Sequence, residues 1–367
     1  MVVALVGLLA VNGAAFAQGT YKIGLTLVLE GTAAEYGISA LNGIRIAADQ
    51  INAAGGINGK LIELVIEDTH GEPSQATAAL RKLASDPEIL AVIGPIRSPE
   101  LLAQSPVADQ LKIVLISPGS VLLWPEPFNP WTFRSTMPDY VGVPPLIRQV
   151  KQEWNPRTAA MLYAIDDDWS VGSMEQFRQA AEANGIQVVA VEGFRTNDTD
   201  FSAQLTRIVR YRPDVIFLPV LARDAALIMQ QARRFGIQAP FVGLSAFNDP
   251  HIMAVAAREA EGAVFATPFD PNDPREVVQR FVAEYRRRHG QDVPLYAAYG
   301  YDAMLAIADA LSRAGENPTR DDVRRALSVA KGINGVTGVF GYEGSGDAIK
   351  DVVNFLQIRN GHYVPWP

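Results

Sequence analysis

Cysteine is absent from all 367 residues, which excludes disulfide bridges and a lipid-bearing cysteine that would tether an exported chain to a membrane. Histidine is scarce: His70, His251, His289 and His362 lie far apart and show no metal-ligand spacing. No G-x-G-x-x-G follows a first strand and no G-x-x-x-x-G-K-[ST] occurs, so phosphate cradles for nucleotides are missing. Excess positive charge is missing too. The net charge of −8 argues against a nucleic-acid partner, which needs a basic surface. The only dense basic run, Arg286-Arg287-Arg288-His289, ends a helical pattern made by Val278, Phe281, Val282 and Tyr285. It reads as a solvated helix C-terminus that suits the macrodipole. From these absences no cofactor and no metal are expected.

What is present is a core. Hydrophobic residues make up 48% and charged ones 20%, the balance of a soluble globular protein, and the length suggests two domains. The first 17 residues are apolar and close on Ala15-Phe16-Ala17, the small-x-small pattern that precedes signal-peptidase cleavage. The stretch is too short and weakly flanked for a membrane span of about 20 apolar residues. Residues 1–17 are therefore expected to be a signal peptide, with a mature chain from near Gln18 in a periplasm-like compartment, free of a lipid anchor.

From there short apolar runs alternate with amphipathic segments. Strands are expected at Lys22 to Val28, Leu61 to Ile66, Leu90 to Ile93 and Ile113 to Ile116. Helices are expected at Tyr36 to Ala54, Ser74 to Leu83 and Pro99 to Gln110. Strands that are apolar throughout, alternating with helices, imply a parallel sheet covered on both faces. A stretch rich in Pro and aromatics interrupts the rhythm before Pro138, after which it restarts through strands at Ala159 to Ala164, Gln187 to Val191, Val215 to Pro219 and Phe241 to Gly243. Two doubly wound α/β lobes follow, and the helices expected after Pro268 imply that the chain crosses between them more than once.

Open parallel sheets bind ligands at the carboxyl ends of their strands. Here those ends carry Gly94 to Ser98, Ser117 to Val121, Asp166 to Ser170, Leu218 to Leu221 and Leu244 to Phe247. In "AVIGPIRSPELLAQ" a strand stops at Gly94-Pro95 and hands Ser98 to a helix start, a place that attracts a carboxylate. Catalytic signals are weak. "GLSAF" (Gly243 to Phe247) is half a nucleophile elbow without its second glycine, and "DDDW" (Asp166 to Trp169) lacks the loop pattern of a cation site. With no nucleophile–base pair, the cleft is expected to bind without reacting, so no enzyme is expected.

"AAEYGISALNGIRIAADQINAAGGINGKLIELVIEDT", "VIGPIRSPE", "LISPGS" and "TDFSAQLTRI" resemble the periplasmic leucine/isoleucine/valine-binding proteins, the type I solute-binding receptors of branched-chain amino-acid ABC importers. The resemblance runs from about Tyr21 to the end. It implies two α/β lobes, residues 20–137 plus 269–345 and residues 138–268 plus 346–367, joined by three hinge strands and closing on a ligand. It places Ser98 where a hydroxyl and backbone hold the ligand's α-carboxylate, Gly119 at a backbone contact, and Tyr36, Trp169 and Tyr296 on the aromatic wall. Arg97 adds a carboxylate fork. The partners implied are a small amino acid or carboxylate and a membrane permease, with the receptor a monomer. A second reading of the same fold is a sensory receptor that passes occupancy to a signalling partner.

Departures from the family's pattern bear on the ligand. The family's usual threonine two residues beyond Gly119 is Val121, with Ser120 as a substitute hydroxyl. Its tyrosine after the Val215 strand is Leu221, and its acidic residue after the Phe241 strand is Ser245. A buried ammonium without an anionic partner is unfavourable by several kcal/mol. Either one of Asp166, Asp167 and Asp168 supplies the anion, or the ligand is a carboxylate without an α-ammonium, such as an aromatic or branched aliphatic acid.

Overall fold

The computed structural model describes residues 19–31, 33–121 and 129–367. The expected signal peptide lies outside the described residues, as does part of the Pro/aromatic break (122–128).

The first lobe opens with β1 (Thr20–Leu27), α1 (Ala34–Ala53), β2 (Leu61–Asp68), α2 (Pro73–Ala84), β3 (Ile89–Ile93), α3 (Ser98–Leu111), β4 (Val114–Ser117) and β5 (Thr132–Arg134). The strands form one sheet in the order β2-β1-β3-β4-β5, every pairing parallel. β3 and β4 are buried at every residue, as strands covered by helices on both faces must be.

The chain then passes to the second lobe through α4 (Asp139–Trp154), β6 (Thr158–Ala164), α5 (Asp168–Ala183), β7 (Gln187–Phe194), α6 (Ser202–Tyr211), β8 (Val215–Phe217), α7 (Ala222–Arg234), β9 (Phe241–Gly243), α8 (Pro250–Ala256) and β10 (Val264–Thr267). Along β6 the side chains alternate between two cores. Ala160 and Leu162 pack with Phe241 and Phe265 on one face, and Ala159 and Met161 pack with Phe217 and Val242 on the other.

A second passage returns the chain to the first lobe as α9 (Glu276–His289), α10 (Leu295–Arg313) and α11 (Arg320–Ser328), followed by a small antiparallel sheet of β11 (Ile333–Gly335), β12 (Gly338–Gly341) and β13 (Ile349–Lys350). α1 and α10 meet through glycines. A Cβ on Gly43 would stand 1.8 Å from the Ala297 carbonyl oxygen, and one on Gly300 would stand 2.3 Å from that of Ala40. Any side chain at either position would push the helices apart. The basic run does end α9, where Arg287 and Arg288 pair with Glu284 and Arg288 also reaches Asp49 at 2.5 Å.

A third passage leads to β14 (Asn354–Arg359) and β15 (His362–Pro365), which complete the second sheet in the order β15-β14-β10-β9-β8-β6-β7. This edge is antiparallel, so the second sheet is not parallel throughout. The first and third passages are tied together. Arg134 donates from its backbone N–H to the Gly346 carbonyl (2.8 Å) and from Nε to Asp347 Oδ1 (2.5 Å), while the Tyr140 hydroxyl donates to Asp347 Oδ2 (2.5 Å). At the second passage the Asn248 amide donates to Thr267 Oγ1 (3.2 Å) and to the Phe269 carbonyl (2.7 Å).

Candidate functional site

The carboxyl ends of both sheets face a cleft between the lobes, lined by residues of both. On the first lobe the turn after β3 packs tightly. Gly94 has φ 136°, and a Cβ there would lie 2.1 Å from the Thr26 carbonyl oxygen. Arg97 is the residue before α3, and its backbone N–H donates to Glu100 Oε2 at 3.2 Å. Ser98 is the first residue of α3 and not its cap. Its buried hydroxyl stands 2.9 Å from Ser120 Oγ, leaving the helix N-terminus aimed at the cleft. Gly119 is required by close approach, since a Cβ would fall 2.2 Å from the Ile96 carbonyl oxygen. Ser117 Oγ locks the loop, donating to the Pro95 carbonyl (2.7 Å) and accepting from the Ser120 N–H (3.1 Å).

The second lobe supplies the facing wall. Asp167 caps α5 by accepting from the Ser170 N–H at 2.9 Å, and its other oxygen lies 3.7 Å from Arg97 Nη2 across the cleft. Trp169 Nε1 donates to Asp139 Oδ2 at 2.7 Å, and the Ser173 hydroxyl donates to the same oxygen. Burial pushes the Asp139 carboxyl up to about 6, against the pull of these two hydrogen bonds. Leu221 precedes α7 and Ser245 opens the single 3₁₀ turn after β9. That turn replaces the strand-to-helix elbow a nucleophilic serine needs.

Three tyrosines close the cleft. The Tyr36 and Tyr296 rings lie 4.6 Å apart at 43°, and Tyr296 and Tyr299 meet edge to face at 6.3 Å. Burial holds all three phenols well above their ordinary pKa, so they remain neutral hydrogen-bonding groups. The Tyr299 hydroxyl accepts from the Met137 backbone N–H at 3.4 Å.

Of the residues expected from sequence, Tyr36, Arg97, Ser98, Gly119, Trp169, Leu221, Ser245 and Tyr296 line the cleft. Ser120 stands behind them as the partner of Ser98. Val121, read as a departure, and Asp167, one of the candidate anions, are lining residues too; Ile96 and Ala246 fall within the strand ends read from sequence, whereas Ala33 and Tyr299 were not foreseen. Tyr299 had a signal: it lies three residues after Tyr296, on the same face of α10. Of the three candidate acids only Asp167 faces the cleft. Asp166 is exposed and accepts from the Thr196 N–H (2.8 Å) and hydroxyl (3.0 Å), and Asp168 is exposed. No histidine is among the lining residues. Among the described residues the carboxylate–imidazole group Glu30, Asp68 and His70 could hold a metal ion, but it lies outside the cleft. The arrangement can grip a carboxylate at one end and an apolar body along its walls.

A family model described as periplasmic binding protein matches residues 20–362. A leucine-, isoleucine-, valine-, threonine- and alanine-binding protein of Pseudomonas aeruginosa is 26% identical over 90% of this chain and 88% of its own length. Two solved structures share the fold at high similarity. A branched-chain amino acid transporter substrate-binding protein from Streptococcus pneumoniae, in complex with isoleucine, has TM-score 0.86 and 28% identity over 94% of this chain and 97% of that one. A leucine-binding protein from Thermotoga maritima has TM-score 0.84 and 27% identity, covering 95% and 98%.

Proposed function

The chain belongs to the periplasmic binding protein family, and from that premise we propose that it is the extracytoplasmic substrate-binding component of an ABC importer. It captures a branched-chain-like amino acid or a related small carboxylate between its lobes and delivers it to a membrane permease. The relatives' names, one of them for a protein in complex with isoleucine, support the amino-acid class.

One observation carries the reading. The Ser98 hydroxyl, the α3 N-terminus and the Arg97 guanidinium converge on the cleft from one lobe, opposite a wall of Trp169 and Leu221 from the other. A carboxylate at that end bridges to an apolar body that contacts both lobes, and differential contact of this kind shifts an open–closed equilibrium. Among the described lining residues an α-ammonium finds no free anion. Ser245 is a neutral hydroxyl, and Asp167 is engaged by Ser170 and Arg97. This favours a carboxylate lacking the α-ammonium over leucine. The discriminating experiment is calorimetric titration of leucine, 4-methylpentanoate, 4-methyl-2-oxopentanoate and phenylacetate. At least one acid without the amine should bind more tightly than leucine; micromolar leucine binding with no binding of the analogues would assign Asp167 to the ammonium.

A further inference from the structure

Beside the cleft lies a second chamber of about 390 Å³, whose lining shares Ala33, Tyr36 and Leu221 with the cleft wall. The rest of its lining is polar and includes Glu35, Asn197, Arg223 and Asp224. Asp224 is the unusual member. It is only 5% exposed, and among the described residues its carboxylate meets only the Arg223 guanidinium at 3.6 Å, a group itself 40% exposed. A buried carboxylate with so little compensation is costly. Its place in the first turn of α7 gives it the helix dipole, yet burial pushes its pKa up to about 6, with Arg223 opposing and Asp167, Asp198 and Asp166 reinforcing. The chamber's inner wall is thus short of positive charge at neutral pH.

We propose that this chamber is a subsite, continuous with the cleft, for a cationic group at the far end of an elongated carboxylate ligand, with Asp224 as its anionic partner and Glu35 at the rim. The inference rests on the reading that the Ser98 end holds a carboxylate. A ligand with a carboxylate at one end and an ammonium at the other brings no net charge into a closing cleft. It needs no counter-ion at the α-position, where no described lining residue offers a free one, and it supplies the charge-assisted donor that Asp224 lacks.

The probes are straight-chain ω-amino acids from 4-aminobutanoate to 8-aminooctanoate, each beside the amine-free acid of the same length, titrated calorimetrically into the wild type and Asp224→Asn. One chain length should bind at least tenfold more tightly than its amine-free counterpart. Asp224→Asn should remove most of that factor while leaving the amine-free acid within twofold. Glu35→Gln, on the exposed rim, should weaken the same ω-amino acid about threefold and carries the test should Asp224→Asn not fold. If no ω-amino acid exceeds its counterpart, or if the excess survives both substitutions, the chamber is the solvent-filled mouth of the cleft and the inference is wrong. The underlying carboxylate reading has its own readout, because it fails if Ser98→Ala leaves every probe's affinity unchanged.

Discussion

Arg97 and Asp167 face each other across the cleft, Nη2 to Oδ2 3.7 Å, one from the turn after β3 and the other from the cap of α5. Each belongs to a different lobe, so the pair exists only while the lobes are together. Partly buried as it is, the contact adds about 1 kcal/mol to closure. Asp167→Asn retains a residue that caps helices well and deletes only the charge. It should free Arg97 for the ligand and tighten binding of an amine-free acid several-fold. Should calorimetry show leucine binding weakened instead, Asp167 is the ammonium's partner.

Ser98→Ala removes one hydroxyl from the carboxylate end and leaves Ser120 Oγ without its 2.9 Å partner. Affinity for a carboxylate should fall by roughly 1–3 kcal/mol, the loss expected for a hydrogen bond to a charged group. Circular dichroism should be unchanged, because Ser98 does not cap α3. Unaltered affinity would place the carboxylate elsewhere.

Asp139 links the cleft wall to pH. Its carboxyl is pushed up from 3.8 to about 6 by burial beneath Trp169. A raised folded pKa means that the stabilising contribution is fully present below 3.8 and is lost as pH rises through 6. The loss amounts to about 3 kcal/mol at most. In Asp139→Asn the fall in stability between pH 4 and pH 7 should be shallower by that amount, measured by urea unfolding at each pH. Parallel profiles for the two proteins would remove Asp139 as the cause.

Closure has a direct readout. The passages at residues 134–139, 267–276 and 350–354 link the lobes, and residues of both lobes line the cleft. Solution scattering at saturating ligand should give a smaller radius of gyration than without ligand. Equal radii at demonstrated saturation would mean that binding does not move the lobes.

Much of this architecture was legible because its signals are local. β3 is five apolar residues in a row followed by Gly94-Pro95 and a helical pattern, so strand, turn and helix start can be read directly. β5 was not legible: Thr132, Phe133 and Arg134 are too few to show a period and sit in a Pro-rich stretch. Arg134 and Asp347 lie more than 200 residues apart, and no pattern in the chain announces their pairing. The aromatic wall came from motif resemblance and Ser98 from the strand-to-helix pattern around it, whereas Asp139 acts through Trp169, 30 residues away. Direction of side chains also escaped: three consecutive aspartates at 166–168 read alike in sequence, and only the cap geometry of α5 turns the middle one inward.

The triple passage between lobes has a consequence for biogenesis. Neither lobe is a contiguous stretch of chain, so neither is complete until nearly the whole polypeptide has been synthesised. The first lobe waits for α9 and α10, and β10 keeps an open edge until β14, within the last 14 residues, docks against it. An emerging chain therefore carries unpaired strand edges and uncovered apolar faces for most of its synthesis. This order of assembly makes loss of the C-terminal hairpin a far graver lesion than its length suggests.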